Sequence, residues 1–456
     1  MNTILALAER NVPRYTSYPT APHFSAGIGP QAYAAWLGSL PQSATLSLYL
    51  HVPFCRELCW YYGCTTKAVR RGAPIESYAE LLKAEIDLLA PAIGARRVVH
   101  LHWGGGTPSI LGTNHLAAIV EKLTATFDLA PLLEHAIELD PRHLGAGLAS
   151  ALAGIGVTRA SLGVQDFSPH VQRAIGRIQP FEQVEQAVAT LRAVGIANIN
   201  IDLMYGLPRQ TVGDVIRSAE LAALLKPARL ALFGYAHVPW FKPHQRLIDE
   251  AALPGAGERM VQIRAAANTL EECGYEPIGL DHFASPDDEL RRAARAGRLH
   301  RNFQGYASDA ADALIGLGAS SIGRLSQGYV QNAPDLGSYA RAIQARQFAT
   351  ARGLEVSGED RLRASIIERL MCYLAVDLDA EVRRVHTRTT KFGGAQPAMD
   401  FAEELAAIDR LSGTGIVRRD DRRIYVTEAG HPFVRLVAAA FDAYLPRDPK
   451  RHSVAV

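Results

Sequence analysis

The 456-residue chain is 48% hydrophobic and 21% charged, with a formal net charge of +2. That balance gives no electrostatic footprint for nucleic acid or an anionic membrane, and no apolar run approaches the roughly 20 residues of a membrane span. Glu9 and Arg10 come too early for a signal peptide, so the expected compartment is the cytoplasm, and five cysteines in so long a chain make no disulfide scaffold.

Residues 1–45, rich in Pro, Tyr and Ser around VPRYTSYPTAPHF, read as an ordered arm. Strand patterns follow at SLYLHVPF (47–54), RVVHLHWGG (97–105), HAIELD (135–140), RASLGVQD (159–166), NINIDLMYG (198–206) and RLALFGYAHV (229–238). Between them lie amphipathic stretches such as ESYAELLKAEIDLLA (76–90), with apolar residues at helical spacing. Six βα units in series imply parallel strands with helices packed outside. A doubly wound sheet or a partial barrel fits; a complete eight-unit barrel needs two more clear repeats. One large domain is therefore expected over 46–350. From about 352 the pattern turns helical (RLRASIIERLMCYLAV, DFAEELAAIDRLSG), and a short strand, RRIYVTEAG, precedes a last helix. That reads as a mainly helical domain over 351–456.

HWGGGTP, ELDPR, GVQDF, DLMYGLP and GYAHVP each follow a strand directly, where α/β folds place ligand chemistry. The loop HVPFCRELCWYYGC puts Cys55 and Cys59 four apart, on the loop after the first strand. A Cys-x3-Cys-x2-Cys run there can hold three irons of a 4Fe–4S cluster and leave the fourth open. Here Tyr62 stands at the third place. From the thiols alone, a cluster, a partial zinc site and two unrelated cysteines all remain open.

Gly104, Gly105 and Gly106 either let the backbone approach a ligand or simply turn the chain. Glu138, Asp202 and Gln165 end strands and suit ribose hydroxyls or structural pairing. Arg177 either grips a carboxylate or lies solvated. The basic run RRAARAGRLHR (291–301) could attract an acidic ligand, but it follows DDEL (287–290) and reads rather as a solvated helix face with its own counter-charges. His51, His102 and His237 lie at or near strand ends, none with zinc spacing. Cys273 and Cys372 read as small buried hydrophobes.

Together these segments resemble one family, the oxygen-independent coproporphyrinogen III oxidases (dehydrogenases) of the radical S-adenosylmethionine (SAM) superfamily. The resemblance runs through RYTSYPTA (14–21), LYLHVPFC (48–55), LHWGGGTPS (101–109), LGVQDF (162–167), NIDLMYGLP (200–208), GYAHVP (234–239), GLDHFASPDDEL (279–290) and LHRNFQGY (299–306), nearly the full chain. It implies an α/β fold, a partial (β/α)6 TIM-like barrel of the radical SAM type, with an N-terminal arm and a mainly helical C-terminal domain over its mouth. It further implies an oxidoreductase of haem and porphyrin biosynthesis. Two propionates of coproporphyrinogen III become vinyl groups, giving protoporphyrinogen IX. The family's radical forms on S-adenosylmethionine bound to a 4Fe–4S cluster, so the protein's task is to position and shield. The implied partners are the tetrapyrrole substrate, an electron donor and an electron acceptor, with no nucleic acid and no membrane, on a monomeric chain.

Carried over by position, the resemblance makes Cys55 and Cys59 the first two cluster ligands. Tyr49 and Glu138 would contact the cluster-bound SAM. Tyr61, Gly106, Thr107, Gln165, Arg177 and Asp202 would form a second such site, and Gly105, Ala236 and Ile322 match further contact positions. Tyr62 replaces the third cluster cysteine, and Cys64 is the nearest substitute thiol. Three outcomes follow from Tyr62: Cys64 or the phenolate is recruited, the chain is a porphyrin- or haem-binding carrier without radical chemistry, or a point change sits in an otherwise ordinary enzyme.

Overall fold

The computed structural model describes residues 2–63, 65–303, 305–390 and 400–445, together with Ala455. Strict alternation inside the strands decides the architecture. In β1 (Thr45–Val52), Leu46, Leu48, Leu50 and Val52 are fully buried against Tyr78, Leu82 and Ile86 of the helix Gly72–Ala92. Ser47, Tyr49 and His51 alternate with them and take the opposite, concave face. In β2 (Arg97–Gly105) an irregularity between Val98 and His100 shifts the phase once, so that Leu101 and Trp103 join Val98 in the outer core and His100 and His102 lie inside. The concave face is therefore lined with polar groups rather than filled with aliphatic ones.

The further strands are β3 (Asp128–Leu139), β4 (Arg159–Gln165), β5 (Asn198–Tyr205), β6 (Arg229–Gly234), β7 (Glu276–Ile278) and β8 (His282–Ala284). β9 (Ala313–Leu317), β10 (Ile322–Leu325), β11 (Gly328–Asn332) and β12 (Thr350–Glu355) complete one 12-stranded sheet. Its order is β12-β11-β10-β9-β1-β2-β3-β4-β5-β6-β8-β7. The run from β9 through β6 is parallel, and both flanks are antiparallel. The sheet curves but does not close among the described residues, which gives the open barrel expected.

Six expected strands are present, β3 starting earlier than read, but the six short ones from β7 to β12 were not foreseen. β9 matters most: ALIGL pairs with β1 in parallel, Tyr49 opposite Gly316, and so extends the array on the side away from β2.

Inside the barrel, strand-borne charges pair across neighbours. Glu134 on β3 takes His100 Nε2 at 3.0 Å and Arg159 Nε at 3.1 Å, and Arg229 Nε reaches Asp288 at 2.7 Å. Buried pairs of this kind cost several kcal/mol to break one-sidedly. They occupy the early ends of the strands, leaving the late ends for a ligand.

Two hydrophobic clusters organise the rest. One spans the sheet and its outer helices; the other joins Leu7, Val12, Tyr15 and Tyr18 to Leu362, Ile366, Phe433 and Val437. The N-terminal segment thus packs into the C-terminal region, with Tyr15 donating to Asp442 at 3.0 Å and the Ala443 amide donating to Tyr18 at 3.0 Å. That region also holds three short antiparallel strands, Ala375–Asp377, Val417–Asp420 and Arg423–Val426, where one was expected.

Two readings are corrected. Cys273 caps the end of the helix Ala256–Glu272 and is exposed, whereas Cys372 is buried as expected. The run 291–301 is not uniformly solvated: Arg295 is 65% exposed, but Arg301, on the strand His300–Asn302, is only 5% exposed. Among the described residues no helix is long and apolar enough to cross a membrane.

Candidate functional site

A cavity of about 100 Å³ opens at the late ends of β2 to β5. It collects Cys55, Cys59, Tyr61, Gly106 and Thr107 from one side and Glu138, Gln165, Arg177 and Asp202 from the other. These residues come from four strand ends, the loop after β1 and, for Arg177, the turn after the helix Pro169–Ala174, so the sequence separation closes only in the folded sheet.

The described residues of the loop 53–69 are pinned at several points. Val69 donates to the Cys55 carbonyl at 2.8 Å and Trp60 to the Ile175 carbonyl at 3.0 Å. From across the barrel, Gln245 Nε2 donates to the Tyr61 carbonyl at 3.1 Å, and His244 Nε2 lies 2.6 Å from the Tyr62 carbonyl. Gly105 has φ +111°, and a Cβ at Gly106 would stand 2.4 Å from the Phe54 carbonyl oxygen. Only glycine lets the two loops touch there.

Both described thiols of the loop are buried. Cys55 Sγ lies 3.3 Å from Thr107 Oγ1, and burial pushes its thiol up to about 11 despite that contact. Cys59 Sγ lies 3.5 Å from Arg177 Nη1 and 3.8 Å from Arg142 Nη2, so two guanidinium groups put positive charge beside it. Arg177 is buried rather than solvated, on the turn after the helix Pro169–Ala174, and forms an internal ion pair with Asp140 at 3.2 Å. Burial alone would raise the Asp140 carboxyl; His143, Arg177 and Arg142 reverse this and hold it well below the usual carboxylate range.

Opposite, Glu138 accepts from the Gly105 amide at 3.1 Å, and Asp202 accepts from Asn200 at 2.8 Å and Ser161 at 3.3 Å. Among the described residues no cation forms an ion pair with Asp202, whose partners are the neutral Asn200 and Ser161. Burial, and then the Glu138 carboxylate, push Asp202 up to about 7. Gln165 adopts φ +74°, in the left-handed region at a register shift between β4 and β5. A non-glycine residue held there costs on the order of 1–3 kcal/mol, the kind of strain that clusters at ligand sites.

The remaining expected residues do not line this cavity. Tyr49 stacks on His102 with ring centroids 5.8 Å apart, and its hydroxyl lies 3.1 Å from His51 Nδ1. Ile322 opens β10 against Gly316, the strand partner of Tyr49. The Ala236 carbonyl accepts from Gln245 at 3.2 Å. His237 binds Tyr235 and Glu250, each at 2.9 Å. Gln245 and His244, which hold the loop in place, were not singled out in the sequence; HQRL carries no motif-like spacing.

Two cofactor fits can be tested on this geometry. Two convergent carboxylates, an unsatisfied buried Arg177 Nε and a glycine-lined wall suit a cationic ligand with a carboxylate and hydroxyls, as S-adenosylmethionine is. A cluster with three cysteine ligands does not fit the described residues. At the third position Tyr62 donates its hydroxyl hydrogen to the Gly105 carbonyl and reaches the Gly106 carbonyl at 3.4 Å. Cys64 lies outside the described residues. Among the described residues no three His, Cys, Asp or Glu side chains assemble as a metal site.

The open parallel sheet with its cysteine loop at the strand ends defines a radical SAM protein, and the radical SAM superfamily matches residues 49–222. The oxygen-independent coproporphyrinogen III oxidase of Bradyrhizobium diazoefficiens is 49% identical over 453 residues, 99% of each chain. That of Paracoccus denitrificans is 42% identical over 96% of each. The structure of coproporphyrinogen III oxidase from Escherichia coli, a radical SAM enzyme, matches with a TM-score of 0.88 and 36% identity, covering 95% of this chain and 98% of that one. The chain belongs to the oxygen-independent coproporphyrinogen III oxidase family, oxidoreductases of porphyrin and haem biosynthesis.

Proposed function

We propose that the chain converts coproporphyrinogen III to protoporphyrinogen IX at the late ends of β1 to β6. Each of two propionates loses carbon dioxide, one proton and two electrons and becomes a vinyl group. S-adenosylmethionine, in this family, supplies the radical that removes the β-hydrogen.

The observation that carries this reading is the single cavity that unites Cys55, Cys59, Glu138, Gln165, Arg177 and Asp202. Glu138 and Asp202 would face the cationic and hydroxyl groups of S-adenosylmethionine. Arg177, locked by Asp140 and by the Gly163 carbonyl at 2.6 Å, holds its place without solvent. A second adenosylmethionine site on Tyr61, Gly106, Thr107, Gln165, Arg177 and Asp202 belongs to the same proposal. So do an electron donor and acceptor, a monomeric state and a cytoplasmic location.

The engaged hydroxyl of Tyr62 supports a second reading, a chain that binds its tetrapyrrole without turning it over. Anaerobic reconstitution with iron and sulfide, followed by assay of 5′-deoxyadenosine and protoporphyrinogen, separates the two. Product formation, even from a labile and substoichiometric cluster, supports the enzyme. Porphyrin or haem binding with neither product supports the carrier.

A further inference from the structure

Glu85, on the helix Gly72–Ala92 behind the sheet, is a carboxylate only 3% exposed. Its partners are all neutral. The Gly318 amide at 2.6 Å and the Tyr339 hydroxyl at 2.7 Å donate to one oxygen, and Asn332 Nδ2 donates to the other at 2.6 Å. Tyr33, Tyr78 and Tyr339 are the titratable groups that face it, and among the described residues no charged side chain does. A carboxylate this deep is costly to keep without a cation, so three converging donors mark a built arrangement. Burial pushes its carboxyl up to about 7 in spite of them.

The donors belong to the turn 318–321 between β9 and β10 and to the elements around it. Gly318 has φ +93°, and a Cβ there would stand 2.5 Å from both the His51 carbonyl oxygen and the Tyr78 hydroxyl oxygen. Tyr78, two turns before Glu85 on the same helix, donates its hydroxyl to the His51 carbonyl at 2.7 Å and accepts from the Ala319 amide at 2.9 Å. Its ring stands edge-on to Phe54, the residue before Cys55, with centroids 5.1 Å apart. Asn332 Nδ2 also donates to the Gly318 carbonyl at 3.0 Å. The turn runs directly into Ile322, and on β9 Gly316 lies opposite Tyr49. One face of an outer helix thus fixes the end of β1 and the turn that leads into β10.

We propose that Glu85, in its ionised form, and Tyr78 are positioning residues that clamp the turn 318–321 onto the end of β1 and so set Tyr49 and Ile322 for S-adenosylmethionine. This rests on the functional reading above. A protonated acid offers one full acceptor oxygen where the ionised form offers two, and the Gly318 N–H and the Asn332 NH2 cannot accept its hydrogen. Only the Tyr339 hydroxyl can. Neutralising Glu85 therefore loosens the hold on the turn, and the loss reaches the site through backbone alone, without touching the ligand.

The test uses the full chain, with S-adenosylmethionine binding followed by calorimetry and backbone amides by hydrogen exchange, in the parent, Tyr78→Phe and Glu85→Gln. Tyr78→Phe keeps the ring against Phe54 and removes only the hydroxyl. Exchange should quicken at 50–52 and at 318–322 in both variants, with the β3 to β5 amides unchanged. Tyr78→Phe should weaken S-adenosylmethionine binding about tenfold. Glu85→Gln, with one acceptor oxygen like the protonated acid, should match the parent near about pH 6 and bind about tenfold more weakly near about pH 8. Asp202 titrates in both proteins and cancels from that ratio. A ratio that does not change with pH, unchanged exchange at both segments, or parental affinity in Tyr78→Phe overturns the positioning role alone. If Glu85→Gln is unfolded, Tyr78→Phe decides. No binding by the parent overturns the S-adenosylmethionine reading and the positioning role with it.

Discussion

Tyr62 and Gly105 are joined through the tyrosine hydroxyl and the glycine carbonyl, across the gap between the cysteine loop and the end of β2. The side chain at the third ligand position is thus spent on the backbone of the neighbouring strand, and a phenol is in any case a hard donor for iron–sulfur chemistry. Tyr62→Cys should raise iron bound per chain and 5′-deoxyadenosine yield after reconstitution. The same change removes a hydrogen bond and should cost the apoprotein about 1 kcal/mol. Tyr62→Phe is the control, with the stability loss and no gain in iron. An unchanged iron content in Tyr62→Cys would show that the missing thiolate does not limit assembly.

Asp140 and Arg177 are 8% and 7% exposed in their side chains, so their ion pair is a buried one. Asp140→Asn leaves Arg177 with an unbalanced charge and should destabilise by about 3–5 kcal/mol in urea unfolding. Asp140→Asn combined with Arg177→Met should recover part of that loss, because both charges then leave together. Since the Asp140 carboxyl is held low in the folded state, its contribution is present above the unfolded value of about 3.9 and fades as pH falls below it. Stability of the parent should therefore drop faster than that of Asp140→Asn on acidification. Parallel curves for the two proteins would contradict the pairing.

Asp202 shows the opposite sign. Its folded carboxyl titrates near 7 because burial and Glu138 oppose ionisation. Between about pH 4 and pH 7 the folded chain binds the proton that the unfolded chain has released, so this group lowers stability as pH rises through that window and adds no further slope above it. Asp202→Asn should flatten the fall in unfolding free energy between pH 5 and pH 7 and make the ligand-free protein more stable at pH 8. The same variant should bind S-adenosylmethionine more weakly, as measured by calorimetry. A pH–stability curve identical to the parent's would place Asp202 outside the electrostatics described.

The sequence disclosed the late strand ends because glycines and charged residues break a strong apolar alternation there, as in LHWGGG and IDLMYG. It also disclosed the six longer strands, whose outer faces carry two to four aliphatic residues each. The short strands β7 to β12 were hidden because three- to six-residue runs such as HFA and ALIGL carry too few residues to show a period. Arg301 was misread for a related reason. It ends a basic run whose first half is solvated, and only the strand pairing of His300–Asn302 with Gly305–Ala307 turns it inward. Charge patterning along a helix says nothing once the helix stops.

Gln245 illustrates what only the folded chain reveals. Fully buried on the 3-10 turn Pro243–Leu247, it donates to the Tyr61 and Ala236 carbonyls and accepts from the Val238 amide at 2.6 Å. One amide side chain thereby ties the cysteine loop to the segment after β6. Gln245→Leu keeps the bulk but leaves three backbone groups without this partner, each costing about 1–3 kcal/mol if it stays buried. Relaxation toward solvent should hold the total loss to about 3 kcal/mol, and the loop should open as it relaxes. Hydrogen exchange should accordingly quicken at 60–63 and at 236–239 together, with the β1 to β5 amides unaffected. Exchange that rises in only one of the two segments would mean that Gln245 is a local filler rather than the tie between them.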